Sequence, residues 1–438
     1  MTSVTLIAPR TEKMGGADIS VIRTPLTGLL TLATILDREG YTVNFYDESF
    51  KKPDYDEINS DFVLLSSMSA TAKRAYRIAS RFEDKDTTVI MGGLHPSFKP
   101  KEALQYCDKV VIGEGERVIT DLIKGKNEKK MIIGDSIPDL SKVPMPNYDL
   151  VEGMGEHPKI VSVCASRGCP YRCNFCSLHR MFGNKIRNVS NDRLIQYLKK
   201  FDRLKTLCFD EPNFIADKKR TVNLLKKMRE HDVRPKRTWV SVSLDIAKYD
   251  EVLKLCSEVS DFNLVIGLES IDQKVLNSYN KKQSPTQIKK GLQKIHNYGI
   301  KVEGSFIFGE DHDDKNVFEN TVEFCHQAEI DFPAFFPLTP YVGTEIRDKL
   351  LSQKRIFSNN WDWYDNLHTV FYPKNMSPLE LQEGVIESYE NFYSTTKGLK
   401  HIFKGQFFYG GVNFYLKYLF KKMKRENREY LTYLERIS

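Results

Sequence analysis

Residues 169–179 read Cys-Pro-Tyr-Arg-Cys-Asn-Phe-Cys-Ser-Leu-His, which places three of the chain's eight cysteines at Cys-x3-Cys-x2-Cys spacing. Three thiols this close point to a metal and leave a fourth ligand to be found. A structural zinc site wants four ligands, and His179 could complete Cys169, Cys173 and Cys176. Such sites usually draw on two separated pairs, however, and no second pair stands out. An iron–sulfur cubane takes one thiolate per iron, so three thiolates would leave one iron open. An open position is what a catalytic metal needs and a structural metal avoids.

The stretch before the loop, Lys159–Ser166, reads as a strand, and a strand–helix alternation continues beyond it. Strand-like runs at 206–214, 238–245, 262–270, 301–309 and 332–340 are separated by helical stretches such as 218–231 and 285–299. Six strand–helix units without antiparallel hairpin signals predict a parallel barrel or part-barrel over 159–345. Chemistry then gathers at the C-terminal strand ends, where the cysteine loop lies.

Upstream, residues 1–135 alternate in the same way, as a doubly wound α/β sheet does. Its strands are expected at 3–9, 41–47, 61–67, 88–93 and 109–116, with helices at 24–40 and 71–84. Ligands bind such sheets at the carboxyl ends of the strands. That singles out Ser66-Ser67-Met68-Ser69, Gly92-Gly93-Leu94-His95 and Gly113-Glu114-Gly115-Glu116. Residues 136–158, with Pro138, Pro144, Pro146 and Pro158, have linker composition. From 346 to 438 the pattern is mainly helical and rich in aromatics.

Composition narrows the field. A net charge of +7 over 438 residues is too mild to imply nucleic acid. No stretch approaches the roughly 18–20 apolar residues of a membrane span, and the N-terminal residues carry no secretory pattern, so a cytoplasmic location is expected. The five scattered cysteines read as small buried hydrophobes.

The cysteine loop resembles the signature of the radical S-adenosylmethionine (radical SAM) superfamily, with Phe175 at the aromatic position before the last cysteine. The resemblance implies a [4Fe–4S] cluster on Cys169, Cys173 and Cys176, whose open iron binds S-adenosylmethionine. It implies further cofactor contacts at the strand ends. Asp210 or Glu211, with Glu211 preferred, would accept from the SAM ammonium. Glu269 would meet the ribose, with Ser241 and Ser243 near the same face, and the glycine-containing strand ending at Gly309 would admit the adenine. Helix capping by Asp210 and Glu269 is the plain alternative.

Paired with this barrel, the N-terminal domain resembles the Rossmann-like cobalamin-binding domain of B12-dependent radical SAM enzymes. That family includes relatives linked to hopanoid or other lipid biosynthesis and the anaerobic magnesium-protoporphyrin ester cyclase. The features that match are Pro25-Leu26-Thr27-Gly28-Leu29, Ser66, Ser67 and Ser69, Gly92 and Gly93, and Gly113, Glu114 and Gly115. The Asp-x-His-x-x-Gly motif that supplies a cobalt ligand elsewhere is absent, and His95 is expected to be a loop or cap residue.

Trp363, Tyr364 and His368 are candidates for a substrate-pocket wall, against the plainer reading of a packed helical cap. Residues 405–428 combine an aromatic face with a basic edge, which suits either a membrane-surface helix or a docking helix. The resemblance implies methylation of an unactivated carbon in a hydrophobic or lipid-like small molecule. The implied electron donor is a flavodoxin or ferredoxin. Radical cyclisation or coupling, and a non-catalytic metal-stabilised or redox-sensing protein, are the alternatives.

Overall fold

The computed structural model describes residues 2–11, 22–155, 158–403, 405 and 407–438. Its first sheet holds β1 (Ser3–Ala8), β2 (Thr42–Asp47), β3 (Phe62–Ser66), β4 (Thr88–Gly92), β5 (Lys109–Gly113) and β6 (Met131–Gly134). Val63, Leu64 and Leu65 of β3 are all buried. Such unbroken apolar runs suit a parallel strand covered on both faces. The order is β2-β1-β3-β4-β5-β6, and the pairings are parallel. The chain therefore steps outward from β1 to β2 and then returns to β3 on the other side of β1. That reversal opens a crevice at the carboxyl ends of β1 and β3.

The second sheet holds β7 (Ile160–Val163), then, past a separate short pair, β8 (Ser166–Arg167) and β9 (Arg187–Asn188), the strands β10 (Thr206–Phe209), β11 (Arg237–Val242), β12 (Asp261–Glu269), β13 (Lys301–Phe308) and β14 (Phe332–Pro337). Its order, β14-β13-β12-β11-β10-β7, follows the chain strictly, as a part-barrel does. The pairs β7–β10, β10–β11 and β13–β14 are parallel. Two details differ from the sequence reading. The strand expected over 159–166 ends at Val163, and Ser166–Arg167 pairs antiparallel with Arg187–Asn188. The cysteine loop thus hangs from a small hairpin-like clasp rather than directly from the barrel strand.

Residues 136–158 are packed rather than loose where described. Ser162 N donates to the Tyr148 hydroxyl at 2.6 Å, and Tyr197 donates to the Pro146 carbonyl at 2.7 Å. By contact density the chain forms two compact units. One runs to Leu264 and leaves out Cys173–Phe175; the other comprises those three residues and Val265–Ser438.

In the C-terminal unit the helix Pro378–Phe392 opens with a capping box between Ser377 and Glu380. It lies against the outermost strand, where the Tyr389 hydroxyl accepts from Phe335 N at 2.9 Å and Tyr393 donates to the Pro333 carbonyl at 2.8 Å. After a short helix, Thr395–Phe403, comes the helix Phe407–Glu426. Its aromatics split between two faces, which corrects the single aromatic face expected over 405–428. Tyr409 stacks on Phe332, and Phe420 stacks on Tyr389 with centroids 3.6 Å apart. Phe407 (71% exposed) and Tyr418 (60%) turn outward. Gln406 and the Phe408 side chain, part of the same expectation, lie outside the described residues. No described helix is long and apolar enough to cross a membrane.

Truncating Phe420 removes a buried ring on which this helix docks. Phe420→Ala is expected to cost about 3–5 kcal/mol in urea unfolding; a loss below about 1 kcal/mol would mean the helix does not depend on that stack.

Candidate active site

The three cysteines of the loop are half-exposed, and no disulfide ties them up. Of the scattered cysteines, burial pushes the Cys107, Cys164 and Cys208 thiols up to about 12. Those three therefore stay protonated thiols, unsuited to holding a metal. The loop is pinned along its length. Cys169 N donates to the Gly183 carbonyl at 3.2 Å. Tyr171 donates to the Asp245 carboxylate just beyond β11, and burial together with that carboxylate raises its hydroxyl to about 12. Within the C-terminal unit, Asn174 donates to the Ser278 carbonyl at 2.7 Å, and Phe175 meets Tyr279 edge-on at 5.1 Å.

Among the described residues, no three His, Cys, Asp or Glu side chains gather closely enough for a single metal ion. The mononuclear set completed by His179 is therefore not assembled. A cubane asks for something else, one thiolate on each of three irons, and three half-exposed thiols on an anchored loop fit that demand.

At the end of β10, Glu211 is buried, accepting from the Ser166 hydroxyl and from Arg220 Nη1 at 3.2 and 3.3 Å. Asp210 is exposed and accepts from Thr27 Oγ1 at 2.7 Å. Ser243 N donates to Asn213 Oδ1 at 2.9 Å, and the Ser241 carbonyl accepts from Phe214 N at 2.8 Å, so both serine positions brace the strand ends through backbone groups. Neither Asp210 nor Glu269 caps a helix; Asp217 and Asp272 do.

In the C-terminal unit Glu269 ends β12 in the left-handed region at φ 64°, a strained conformation for a residue with a side chain. Its carboxylate folds back to Lys281 Nζ at 3.1 Å. A Cβ at Gly267 would lie 2.1 Å from that carboxylate, so only glycine leaves room for the fold-back. At Gly309 φ is 97°, and the space a Cβ would take belongs to Leu381 and Phe371. Asp313 accepts from Gly309 N and Glu310 N at 2.9 and 3.0 Å, and burial raises its carboxyl to about 7. Tyr279 is wholly buried, and burial lifts its hydroxyl well above the ordinary value.

The loops after β3, β4 and β5 of the first sheet are bonded to one another. Ser67 N donates to the Gly92 carbonyl at 3.1 Å, and His95 N donates to the Ser67 carbonyl at 3.0 Å. Gly93 has φ 94°, and a Cβ there would sit 2.6 Å from the Ser66 hydroxyl. Gly113 N donates to Ser97 Oγ, which in turn donates to the Gly93 carbonyl. Ser69 and His95 are buried and 3.3 Å apart through Oγ and Nδ1, so His95 packs within the domain. The buried Ser67 hydroxyl has no hydrogen-bond partner among the described residues. An orphaned buried hydroxyl beside a glycine cradle fits a polar-rimmed cofactor seated on these loops.

Glu114 has a role that sequence reasoning missed. Its buried carboxylate takes Arg187 at 2.6 and 3.0 Å and Arg167 at 2.8 Å, while Arg167 also pairs with Glu116. Burial pushes this carboxyl up, but the two guanidiniums hold it below the usual range. Arg167 stands two residues before Cys169, and Arg187 faces it across the β8–β9 pair. In the sequence, the visible cue was two arginines flanking the loop.

Tyr364 is wholly buried and donates to the Ser358 carbonyl at 2.6 Å. His368, also buried, lies between Asp365 and Asn427, and Trp363 packs on Tyr430. The structure makes Tyr364 and His368 core rather than pocket wall, while Trp363 is half-buried.

Residues 163–325 match the radical SAM superfamily, and residues 23–123 match the B12 binding domain. The chain is a radical SAM enzyme with a B12-binding domain. The matched families imply the [4Fe–4S] cluster, S-adenosylmethionine and cobalamin as its cofactors. This radical SAM chain is 27% identical over 416 residues to the bacteriochlorophyllide d C-12(1)-methyltransferase of Chlorobaculum tepidum, covering 91% of this chain and 88% of that one. It is 23% identical over 432 residues to the anaerobic magnesium-protoporphyrin IX monomethyl ester cyclase of Rubrivivax gelatinosus, covering 89% and 77%. Its fold is similar to that of the radical S-adenosylmethionine methyltransferase TsrM from Kitasatospora setae, with TM-score 0.65 at 16% identity over 81% of this chain and 76% of that one.

Two stability measurements test this geometry. Arg187→Ala leaves Glu114 buried with half its compensation and is expected to cost about 3–5 kcal/mol, of which Arg187→Lys recovers a part; an unchanged urea midpoint would deny the network its role. Asp313 carries a folded-state value raised above the unfolded one. Its contribution is therefore full below about pH 4 and lost as pH rises toward about 7. Asp313→Asn keeps an acceptor for both N–H groups, so thermal unfolding of the cofactor-free protein should show a gain of several degrees at pH 8 and none near pH 4.

Proposed function

We propose that this enzyme methylates an unactivated carbon of a hydrophobic substrate, and that the substrate is a chlorophyll-type macrocycle. The observation that carries this reading is the pairing of the anchored three-thiol loop with a glycine cradle whose buried Ser67 hydroxyl lacks a partner among the described residues. The similarity to a bacteriochlorophyllide methyltransferase over most of both chains supports the substrate class.

When bound, the cluster, S-adenosylmethionine and cobalamin supply the radical and methyl chemistry; the protein holds, orients and shields. Cys169, Cys173 and Cys176 would hold the cluster, with Phe175 set edge-on against Tyr279 to fix the loop. Asp210, exposed beside Thr27, is better placed than Glu211 to take the SAM ammonium, because Arg220 and Ser166 already engage Glu211. Glu269, strained and folded onto Lys281, would meet the ribose. Ser66, Ser67, Ser69, Gly92, Gly93 and Gly113 would cradle the corrinoid. Glu114 would act beside them by fixing the loop that carries Gly113 and Gly115. A flavodoxin or ferredoxin would supply electrons, and Phe407, Tyr415 and Tyr418 offer an outward strip for contact with a lipid surface.

Similarity to an anaerobic cyclase keeps a second reading, radical cyclisation without methyl transfer. Anaerobically reconstituted enzyme, given reductant, methyl-labelled S-adenosylmethionine and a bacteriochlorophyllide, should form labelled macrocycle, S-adenosylhomocysteine and 5′-deoxyadenosine. Cys173→Ala should abolish all three. Consumption of substrate with 5′-deoxyadenosine but no label would select cyclisation, whereas no 5′-deoxyadenosine under any condition would overturn both.

A further inference from the structure

The helix Ala72–Ala79 follows the Ser66–Ser69 loop and has two unlike sides. Its inner side rests on the cofactor cradle, since Tyr76 meets His95 edge-on at 6.2 Å and His95 is bonded to the Ser67 carbonyl and faces Ser69. Its outer side forms one wall of an open cleft of about 610 Å³. Every charged side chain lining that cleft is cationic: Lys52, Lys73, Arg74, Arg77 and Arg81. Arg74 is anchored from behind by Glu48 at 2.5 and 3.0 Å, and Arg81 reaches Asp56 at 3.3 Å in a solvent-exposed pair, so these two cations add little net charge to the cleft. The floor is aromatic, with Tyr76 stacked on Tyr106 at 4.3 Å.

We propose that this cleft is the docking surface for an acidic one-electron carrier protein. The inference rests on the radical SAM reading, in which one electron from outside the chain is needed to cleave each S-adenosylmethionine reductively. A cleft of one charge sign steers an oppositely charged partner, and the resulting on-rate falls steeply with salt. The form suits a carrier that must leave after each electron. Long hydrated cations at the surface make weak contacts, and redox encounters use small interfaces. A carrier seated there would lie beside the helix that directly follows the Ser66–Ser69 loop. It would touch the exposed Tyr106, which stacks on the buried Tyr76 that meets His95.

The test uses full-length, anaerobically reconstituted enzyme and stopped-flow bleaching of its cluster and corrinoid absorbance. Reduction by reduced flavodoxin is compared with reduction by dithionite. The wild-type rate with flavodoxin should fall as salt rises. The triple variant Lys52→Glu, Lys73→Glu, Arg77→Glu should be at least about tenfold slower with flavodoxin and within about twofold of wild type with dithionite. A rate with flavodoxin that ignores both salt and variant would overturn the proposal. So would an equal loss with both reductants, and the Lys→Gln and Arg→Gln versions, with thermal unfolding midpoints, show whether misfolding is its cause. The parent reading fails separately, if dithionite-reduced wild type makes no 5′-deoxyadenosine.

Discussion

A single carboxylate, Glu114, ties together what this enzyme needs to keep in register. It sits between Gly113 and Gly115 at the end of β5, on a loop of the cofactor cradle, and it is gripped by two arginines of the clasp that carries the cysteine loop. A buried carboxylate held by two guanidiniums is intolerant of displacement, since moving any partner strands a charge in a low-dielectric setting. Thr27 and Asp210 add a second bond between the same two regions, at the start of the first helix and the end of β10. Two loops far apart in the chain are thereby held by polar bonds with fixed directions, which apolar packing alone would not specify.

Around that frame, each polar group at a strand end has a stated partner or a stated lack of one. Glu211 is committed to Ser166 and Arg220, and Glu269 to Lys281. Asp210 is bonded to Thr27 but exposed, and the buried Ser67 hydroxyl has no partner among the described residues. The committed groups set geometry, and an orphaned buried hydroxyl is where a ligand gains most by binding.

Local spacing made much of this legible in the chain. Cys169, Cys173 and Cys176 announce themselves within eight residues, and the Val63–Leu65 run or the Val302–Phe308 alternation marks a strand without help from elsewhere. What depends on distant pairing was not legible. Nothing near Glu114 says that it meets arginines more than fifty residues on, so it read only as part of a glycine-rich turn. Residues 405–428 misled for a different reason. Aromatics occur on both faces of that helix, and only the fold shows that Tyr409 and Phe420 face inward while Tyr418 does not. The strand expected through Ser166 failed at Val163 because the apolar run continues into a segment that finds an antiparallel partner, Arg187–Asn188.

The outermost strand has a bearing on solubility. β14 stands at one end of its sheet's order, and an edge strand's unpaired backbone groups invite strands from other chains. Pro333 and Pro337 cannot donate there, and the backbone groups Phe335 N and Pro333 O are taken by Tyr389 and Tyr393. Two tyrosines on one helix thus occupy positions that a neighbouring molecule would otherwise use. A ribosome releasing a chain cut short of Pro378 would release a barrel with an adhesive border. The helix Pro378–Phe392, which looks like part of an appendage in the sequence, thus covers part of the barrel's outer border.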